Sequence, residues 1–369
     1  MRVDRIEAFR VSLPLVHEFQ TSSHRKSHLE HVLVKVTDAG GAAGWGEIAS
    51  PSGPFYSPET VETCWLMLRG FLAPAVLGRD WDHPSQVPGL WAKVRGHEFT
   101  KAGLDMAAWT LWTGASGTPL AAALGGTRAK VTAGVSLGIE PTVDDLLAQV
   151  AAHDAAGYPR IKLKIQPGWD VEPVKAVRAA FPHLQVHVDA NGVYTEAQAE
   201  VFTELDSTGL VMIEQPYAPR ALAAHARLQK LLETPICLDE SVVTVDDLDT
   251  ALALDAGRVL NIKVSRMGGL TAAVAAHDRA REAGIPVWCG GMHEFGVGRA
   301  ANVALSALPG FTLPSDVSGS DKYYAREVIA PPVVATQGRV TVPVTAGLGH
   351  DVDEEFVRAQ AGATLDLRG

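Results

Sequence analysis

The chain has 369 residues, 47% of them hydrophobic and 20% charged, the profile of an ordinary globular protein long enough for one barrel plus a smaller domain. Its formal net charge of −10 at pH 7 argues against a nucleic-acid footprint or a basic membrane patch, and no run approaches the ~18 apolar residues of a membrane span. Only Cys64, Cys237 and Cys289 occur, two of them in predicted strands, which favours buried thiols over a disulfide or zinc site; with no signal-like apolar core after Met1, a cytoplasmic location is expected.

Residues 1–126 read as an α+β domain. Ile6–Leu13 and His31–Thr37 alternate as strands. Between them Val16–Glu30 is polar, with His17, His24, Arg25, Lys26 and His28, and is expected to be a long connection: a solvated loop or a lid. No other ligand cluster accompanies those histidines, so a metal site there is not expected. Gly44-Trp-Gly-Glu47 ends a further strand, and Ser50–Tyr56 is a Pro/Gly loop. Helical patterning follows over Glu59–Ala73 and Val87–Ala115, and Leu120–Gly126 closes the domain with a glycine stop.

From Lys130 the pattern changes to strand–helix units. Eight strands are predicted: Val131–Gly138, Arg160–Ile165, Gln185–Asn191, Gly209–Pro216, Pro235–Ser241, Arg258–Val264, Pro286–Met292 and Thr312–Val317. Helices such as Thr142–Ala156, Glu196–Leu205, Val245–Leu254 and Leu270–Ala283 lie between them. The fold class is α/β: a modified TIM barrel of the (β/α)7β type over 127–320, capped by the first domain. Residues 321–369, with a strand at Arg339–Val344, a Gly-Leu-Gly turn and a final polar helix, are expected to return to the cap.

Five of the barrel runs end on a charged residue. Lys164, Asp189, Glu214 and Asp239 follow one another at intervals of 25 residues, and Lys263 comes 24 later. Strand ends of such a barrel converge on one mouth, where active sites sit. Three carboxylates flanked by a lysine on each side would therefore face one another. Three hard oxygen ligands suit Mg²⁺ or Mn²⁺, and two lysines beside such an ion are candidates for moving protons. A lone Lys-Leu-Lys is usually a solvated strand edge, and a lone acid after a strand usually caps a helix. Five at matched positions make coincidence a poor account.

The motifs Lys162-Leu-Lys164, Val188-Asp-Ala-Asn191, Ile213-Glu-Gln-Pro216, Leu238-Asp-Glu-Ser241, Asn261-Ile-Lys263 and Trp288-Cys-Gly-Gly-Met292 resemble the enolase superfamily, muconate-lactonizing subgroup. Within it the chain is most similar to the o-succinylbenzoate synthase/N-acylamino-acid racemase family, over nearly its whole length. The resemblance implies that Asp189, Glu214 and Asp239 hold one Mg²⁺, replaceable by Mn²⁺, and that Lys164 and Lys263 are the catalytic lysines. It implies a small carboxylic-acid substrate, losing the proton α to its carboxylate to give a metal-stabilised enediolate, and a homo-oligomeric assembly. The leading reading is dehydration of a cyclohexadiene carboxylate to o-succinylbenzoate in menaquinone biosynthesis. N-acylamino-acid racemisation is the alternative, and a muconate-type cycloisomerase a more distant one. Lys162, two residues before Lys164, would point into the same mouth; Ser136, Asn191, Gly291, Met292, His293 and Phe295 are expected against the substrate. Glu240, Arg266 and Glu294 are expected behind the ligands and lysines.

One departure stands out. After the seventh strand the family has Gly-Gly-Met, an aliphatic residue, Glu and a small hydroxyl residue; this chain reads Gly290-Gly-Met-His-Glu-Phe-Gly296. His293 and a bulky Phe295 would reshape the pocket. No aspartate follows Lys263 to orient His293 as a base, so His293 reads as a residue that lines the pocket or stands just behind it. Leu313-Pro-Ser-Asp316 lacks the Asp-x-Asp pair of dipeptide epimerases.

Overall fold

The computed structural model describes residues 1–21 and 25–369. The N-terminal part is a four-stranded antiparallel sheet built on a long hairpin, β1 (Val3–Gln20) and β2 (Arg25–Asp38). β3 (Ala43–Ile48) pairs with Val32–Thr37, and the C-terminal strand Ala361–Arg368 pairs on the other side of β1. The strands alternate as their sequences require, and both faces are buried. Ile6, Ala8, Val32, Val34 and Val36 pack into the cap's own helical core, while Phe9, Leu13, Leu29 and Leu33 join the core shared with the barrel.

Of the connection expected over Val16–Glu30, residues 16–20 and 25–30 are strand rather than loop. The hairpin ladder runs on through Pro14↔His28, shifts, and resumes at Phe19↔Lys26 and Gln20↔Arg25. Polarity misled the reading for a physical reason: beyond Leu13 and Leu29 the ribbon has, among the described residues, no neighbouring strand on either side, and most of its described side chains face water. His24 lies outside the described residues.

The cap helices are more broken than the periodicity suggested. Val61–Met67 continues through a π-turn (Leu68–Leu72) into Ala73–Val76, and the second prediction resolves into Val87–Leu90 and a long helix, Glu98–Ala115. β3 lies directly on that long helix. A Cβ on Gly44 would stand 2.3 Å from the Ala107 carbonyl, and one on Gly46 would stand 1.9 Å from the Gly103 carbonyl. The Gly-Trp-Gly spacing is therefore a contact of backbone with backbone.

The barrel is a seven-stranded parallel sheet running in sequence order. With Lys130–Thr132 taken as β4, its strands are β5 (Val135–Leu137), β6 (Arg160–Lys164), β7 (Gln185–Asp189), β8 (Ile213–Glu214), β9 (Ile236–Leu238), β10 (Val259–Ile262) and β11 (Val287–Cys289). Two predictions are corrected here. Val131–Gly138 is split, because β4 leaves the barrel to pair with Arg339–Thr341. Thr312–Val317 is not a regular strand; it closes the ring through isolated bonds, Leu313 N to Val287 O and Asp316 N to Cys289 O on one side and Gly134 N to Ser315 O on the other. Pro314 removes a donor from this stave, which limits its ladder. The stretch 321–369 reaches the cap sheet only in its last part. The final polar helix ends at Gln360, and Ala361–Arg368 is a strand whose exposure alternates residue by residue.

Candidate active site

The register of the barrel assembles the centre. Lys164 on β6 lies beside Asp189 on β7, and Asp189 lies beside Glu214 on β8. Asp239 follows the end of β9 and Lys263 the end of β10. In a ring of eight staves, β6 and β10 are four apart and hence diametrically opposed. The two lysines thus enter from opposite walls, with the three carboxylates on the strands between them.

Asp189, Glu214 and Asp239 are fully buried, and one carboxylate oxygen from each lies within 4.8 Å of the others. Cations surround them. Lys162 Nζ is 2.8 Å from Asp189 Oδ2 and 2.7 Å from Glu214 Oε2; Lys164 Nζ is 2.6 Å from Asp189 Oδ2 and donates to Asn191 Oδ1. Lys263 Nζ is 2.8 Å from Asp239 Oδ2, and the Arg266 guanidinium pairs with Asp239 Oδ1. Burial pushes Asp189 and Asp239 upward, but the adjacent ammonium and guanidinium groups outweigh it and hold both below the usual carboxylate range. Glu214, by burial first and then the neighbouring Asp189 charge, is pushed up to about 8. Burial draws Lys162 down, yet Asp189 and Glu214 raise it well above the ordinary lysine value.

These residues fit a divalent cation. The donor set is all oxygen, as Mg²⁺-type ions require. Glu214 Oε2 is buried without a well-directed hydrogen bond, although the Lys162 ammonium is near. Three carboxylates so close together in a dry site need positive charge, and some of the lysine charge now meeting that need is in the places expected for catalysis.

The other predicted residues separate into two groups. Ser136, Gly291, Met292, His293 and Glu294 line two small cavities of about 40 and 60 Å³ at the mouth, together with Lys162, Lys164, Asn191, Glu240 and Lys263. Glu294, expected behind the site, is thus at its wall. Glu240 accepts from Asn191 Nδ2 at 3.0 Å and caps no helix, since Thr244 caps the one that follows. Arg266 is fixed by the carbonyls of Val242 and Asn261 as well as by Asp239. Phe295 does not touch the cavity. It is fully buried, with its ring between His31 and Tyr324, because its backbone starts the helix Gly296–Ser306 and turns the side chain toward the cap.

Several residues were missed or undervalued by the sequence reading. Tyr56, read only as the end of a Pro/Gly loop, donates to Asp239 Oδ1 at 2.9 Å and accepts from Lys263 Nζ at 3.1 Å. Gln215 accepts from the backbone N–H of Asp239 and Ser241 and so fixes the third carboxylate; its presence in the Glu-Gln-Pro motif was the available signal. Asn261 donates to Glu214 Oε1 at 2.8 Å. Asp316 accepts from Arg160 and Ser136, both at 2.8 Å. Glu47 of the cap accepts from the N–H of Phe295 and Gly298 and from His31, pinning the loop that carries residues 291–295. A larger cavity of about 940 Å³ runs between cap and barrel beside Tyr56, Glu240 and Arg266, but none of the three lysines lines it, whereas each lines at least one of the small cavities.

Comparison with known proteins agrees with this geometry. Residues 5–125 match the mandelate racemase/muconate lactonizing enzyme N-terminal domain, and residues 145–356 match the enolase C-terminal domain-like family. An o-succinylbenzoate synthase from Geobacillus kaustophilus is 47% identical over 347 residues, 94% of this chain and 92% of that one. An N-succinylamino acid racemase from Amycolatopsis sp. is 44% identical over 351 residues, 95% of each chain. The crystal structure of an enolase superfamily member from Listeria innocua superposes with a TM-score of 0.96 at 33% identity, over 100% of this chain and 99% of that one. The chain belongs to the mandelate racemase/muconate lactonizing enzyme family of the enolase superfamily.

Proposed function

We propose that the protein is an o-succinylbenzoate synthase: it dehydrates a cyclohexadiene carboxylate whose ring bears a hydroxyl next to the acidic carbon. The observation that carries this is the pair of lysines on opposed staves, with three buried carboxylates on the strands between. Relatives of that name, at 42 to 47% identity, support it. We read Asp189, Glu214 and Asp239 as the ligands of Mg²⁺, for which Mn²⁺ could substitute. Bound there, a divalent ion supplies positive charge beside the substrate carboxylate, where negative charge grows as the α-proton leaves.

The chain's own groups do the rest. Lys164 takes the α-proton; the electron pair it leaves spreads onto the substrate carboxylate as an enediolate. Lys162, held between Asp189 and Glu214, adds positive charge at that end. The pair then returns to the ring, the adjacent C–O bond breaks, the departing hydroxide takes a proton from the Lys164 ammonium and leaves as water, and the ring becomes aromatic. Lys263 stabilises the charge from the opposite wall. Asn191, Gly291, Met292, His293 and Ser136 enclose the acid. The small cavities are far below the ~300 Å³ of a typical ligand pocket, so substrate entry requires their side chains to move.

Opposed lysines also suit racemisation, in which one removes the proton and the other returns it to the opposite face. The 44% identical N-succinylamino acid racemase favours keeping this as the second reading. The remaining parts of the proposal rest on family membership: division of the chain near residues 126 and 320, cytoplasmic location and homo-oligomeric assembly, the last decided by sedimentation. Proton NMR in D₂O with Mg²⁺ tests the reaction. Rapid dehydration of the cyclohexadiene acid, with slow α-deuterium exchange on N-succinylamino acids, supports the synthase. Fast exchange and racemisation with poor dehydration moves the assignment to the racemase.

A further inference from the structure

The cap contributes a cation for which the reaction centre has no counter-charge. Lys26, half-buried near the start of β2, lines the mouth cavity together with Phe19, Tyr56, Lys164, Lys263 and His293. The cations beside the three acids each have a carboxylate: Lys162 has Asp189 and Glu214, Lys164 has Asp189, and Lys263 and Arg266 have Asp239. Lys26 has none. Among the described residues no carboxylate is within ion-pair distance of it; Lys164 and Lys263 oppose its charge, Glu294 favours it more weakly, and Glu240 lines the same cavity. Burial, then these two ammonium groups, draws its pKa down to about 8. An ammonium in such a position is stabilised by an anion entering the cavity.

Its location is held by the fold. Lys26 pairs with Phe19 across the hairpin, and the Phe19 ring meets the His293 ring edge-on, 4.5 Å between centroids. Val16 N donates to Tyr323 O, and Ile139 N donates to Gln20 O, both at 2.9 Å, so the ribbon is fastened to the barrel rim on two sides. His293 itself carries a buried Nδ1 with no hydrogen-bond partner, in the same cavity. Burial, then Lys26, keeps this imidazole neutral, so one ring nitrogen can donate to an oxygen.

We propose that Lys26 and His293 form a seat, at the cap end of the cavity, for a second carboxylate of a dicarboxylic substrate. The first carboxylate belongs in the other small cavity, which shares Lys164 and Lys263 with this one and is lined by Lys162. The inference rests on the acid-substrate reading above, in which the ring acid and the N-succinylamino acids each carry two carboxylates. It also gives the His293 departure a purpose: a hydrogen-bonding group stands where the family has an aliphatic one.

The test is calorimetric binding of o-succinylbenzoate and of 2-butanoylbenzoate, which lacks the distal carboxylate, to Mg²⁺-loaded protein. The native chain is expected to prefer the dicarboxylate by about tenfold to a hundredfold. Lys26→Gln should bring the ratio to within about threefold, and Lys26→Arg should restore most of it. His293→Ile should lower the ratio by a smaller factor. The proposal is overturned if Lys26→Gln retains the native ratio, if the native chain does not distinguish the two acids, or if it binds neither. A Lys26-dependent preference in a protein that fails to dehydrate the cyclohexadiene acid would sustain the seat and refute only the synthase reading.

Discussion

The pin between cap and barrel gives a quantitative prediction. Glu47 is fully buried, and its two oxygens accept from Phe295 N at 2.8 Å, Gly298 N at 2.7 Å and His31 Nδ1 at 2.7 Å. Two of those donors open the helix Gly296–Ser306, whose own N-cap residue, Phe295, offers no side-chain acceptor, so a negative charge there also meets the positive helix end. Glu47→Gln keeps the shape but turns one acceptor into an NH₂ that faces a donor. Loss of charge-assisted bonds and one unsatisfied buried N–H should together cost about 2 to 5 kcal/mol. Because the same loop carries Gly291, Met292 and His293 into the cavity, KM should rise as well. Urea unfolding followed by tryptophan fluorescence measures the first effect and steady-state kinetics the second. A variant within about 0.5 kcal/mol of the native chain, with unchanged KM, would refute the role of this carboxylate as a pin.

Further predictions concern both chemistry and fold. Lys164→Ala should lower dehydration by at least about a thousandfold, and Lys263→Ala should abolish deuterium exchange at one face of an N-succinylamino acid; both are read by NMR in D₂O. Gly46→Ala drives a Cβ into the Gly103 carbonyl and should cost about 3 kcal/mol or more, seen as a lowered denaturation midpoint or insoluble protein. Asp105 joins the cap helix to Thr271 of the barrel, with no ion-pair partner among the described residues. Burial outweighs the Thr271 hydrogen bonds and pushes its pKa up to about 7 from 3.8. Its folded value lies above its unfolded one, so the folded state holds the extra proton and stability from this group falls as pH rises from about 4 to 7. Asp105→Asn should flatten that part of the stability–pH curve, and an unchanged slope would refute the assignment.

What the sequence determined by itself was the repeat. The spacing of Lys164, Asp189, Glu214, Asp239 and Lys263 is legible because a strand–helix unit of nearly constant length returns the chain to the same mouth each time. Buried parallel strands also announce themselves as short apolar runs. Tertiary structure alone decided which groups face the cavity. Phe295 and His293 are two residues apart, yet one goes to the core and the other to the mouth, because the start of a helix turns the chain between them. Lys26 looked like one more polar residue of a loop, and only the hairpin register sets it opposite Phe19 and into the cavity that Lys164 and Lys263 line. The eighth stave could be placed from its spacing but not its regularity, since ring closure is a property of β5 and β11 meeting across it. Local pattern carries period and burial; the direction in which a side chain points across a domain boundary is fixed by contacts between residues far apart in the chain.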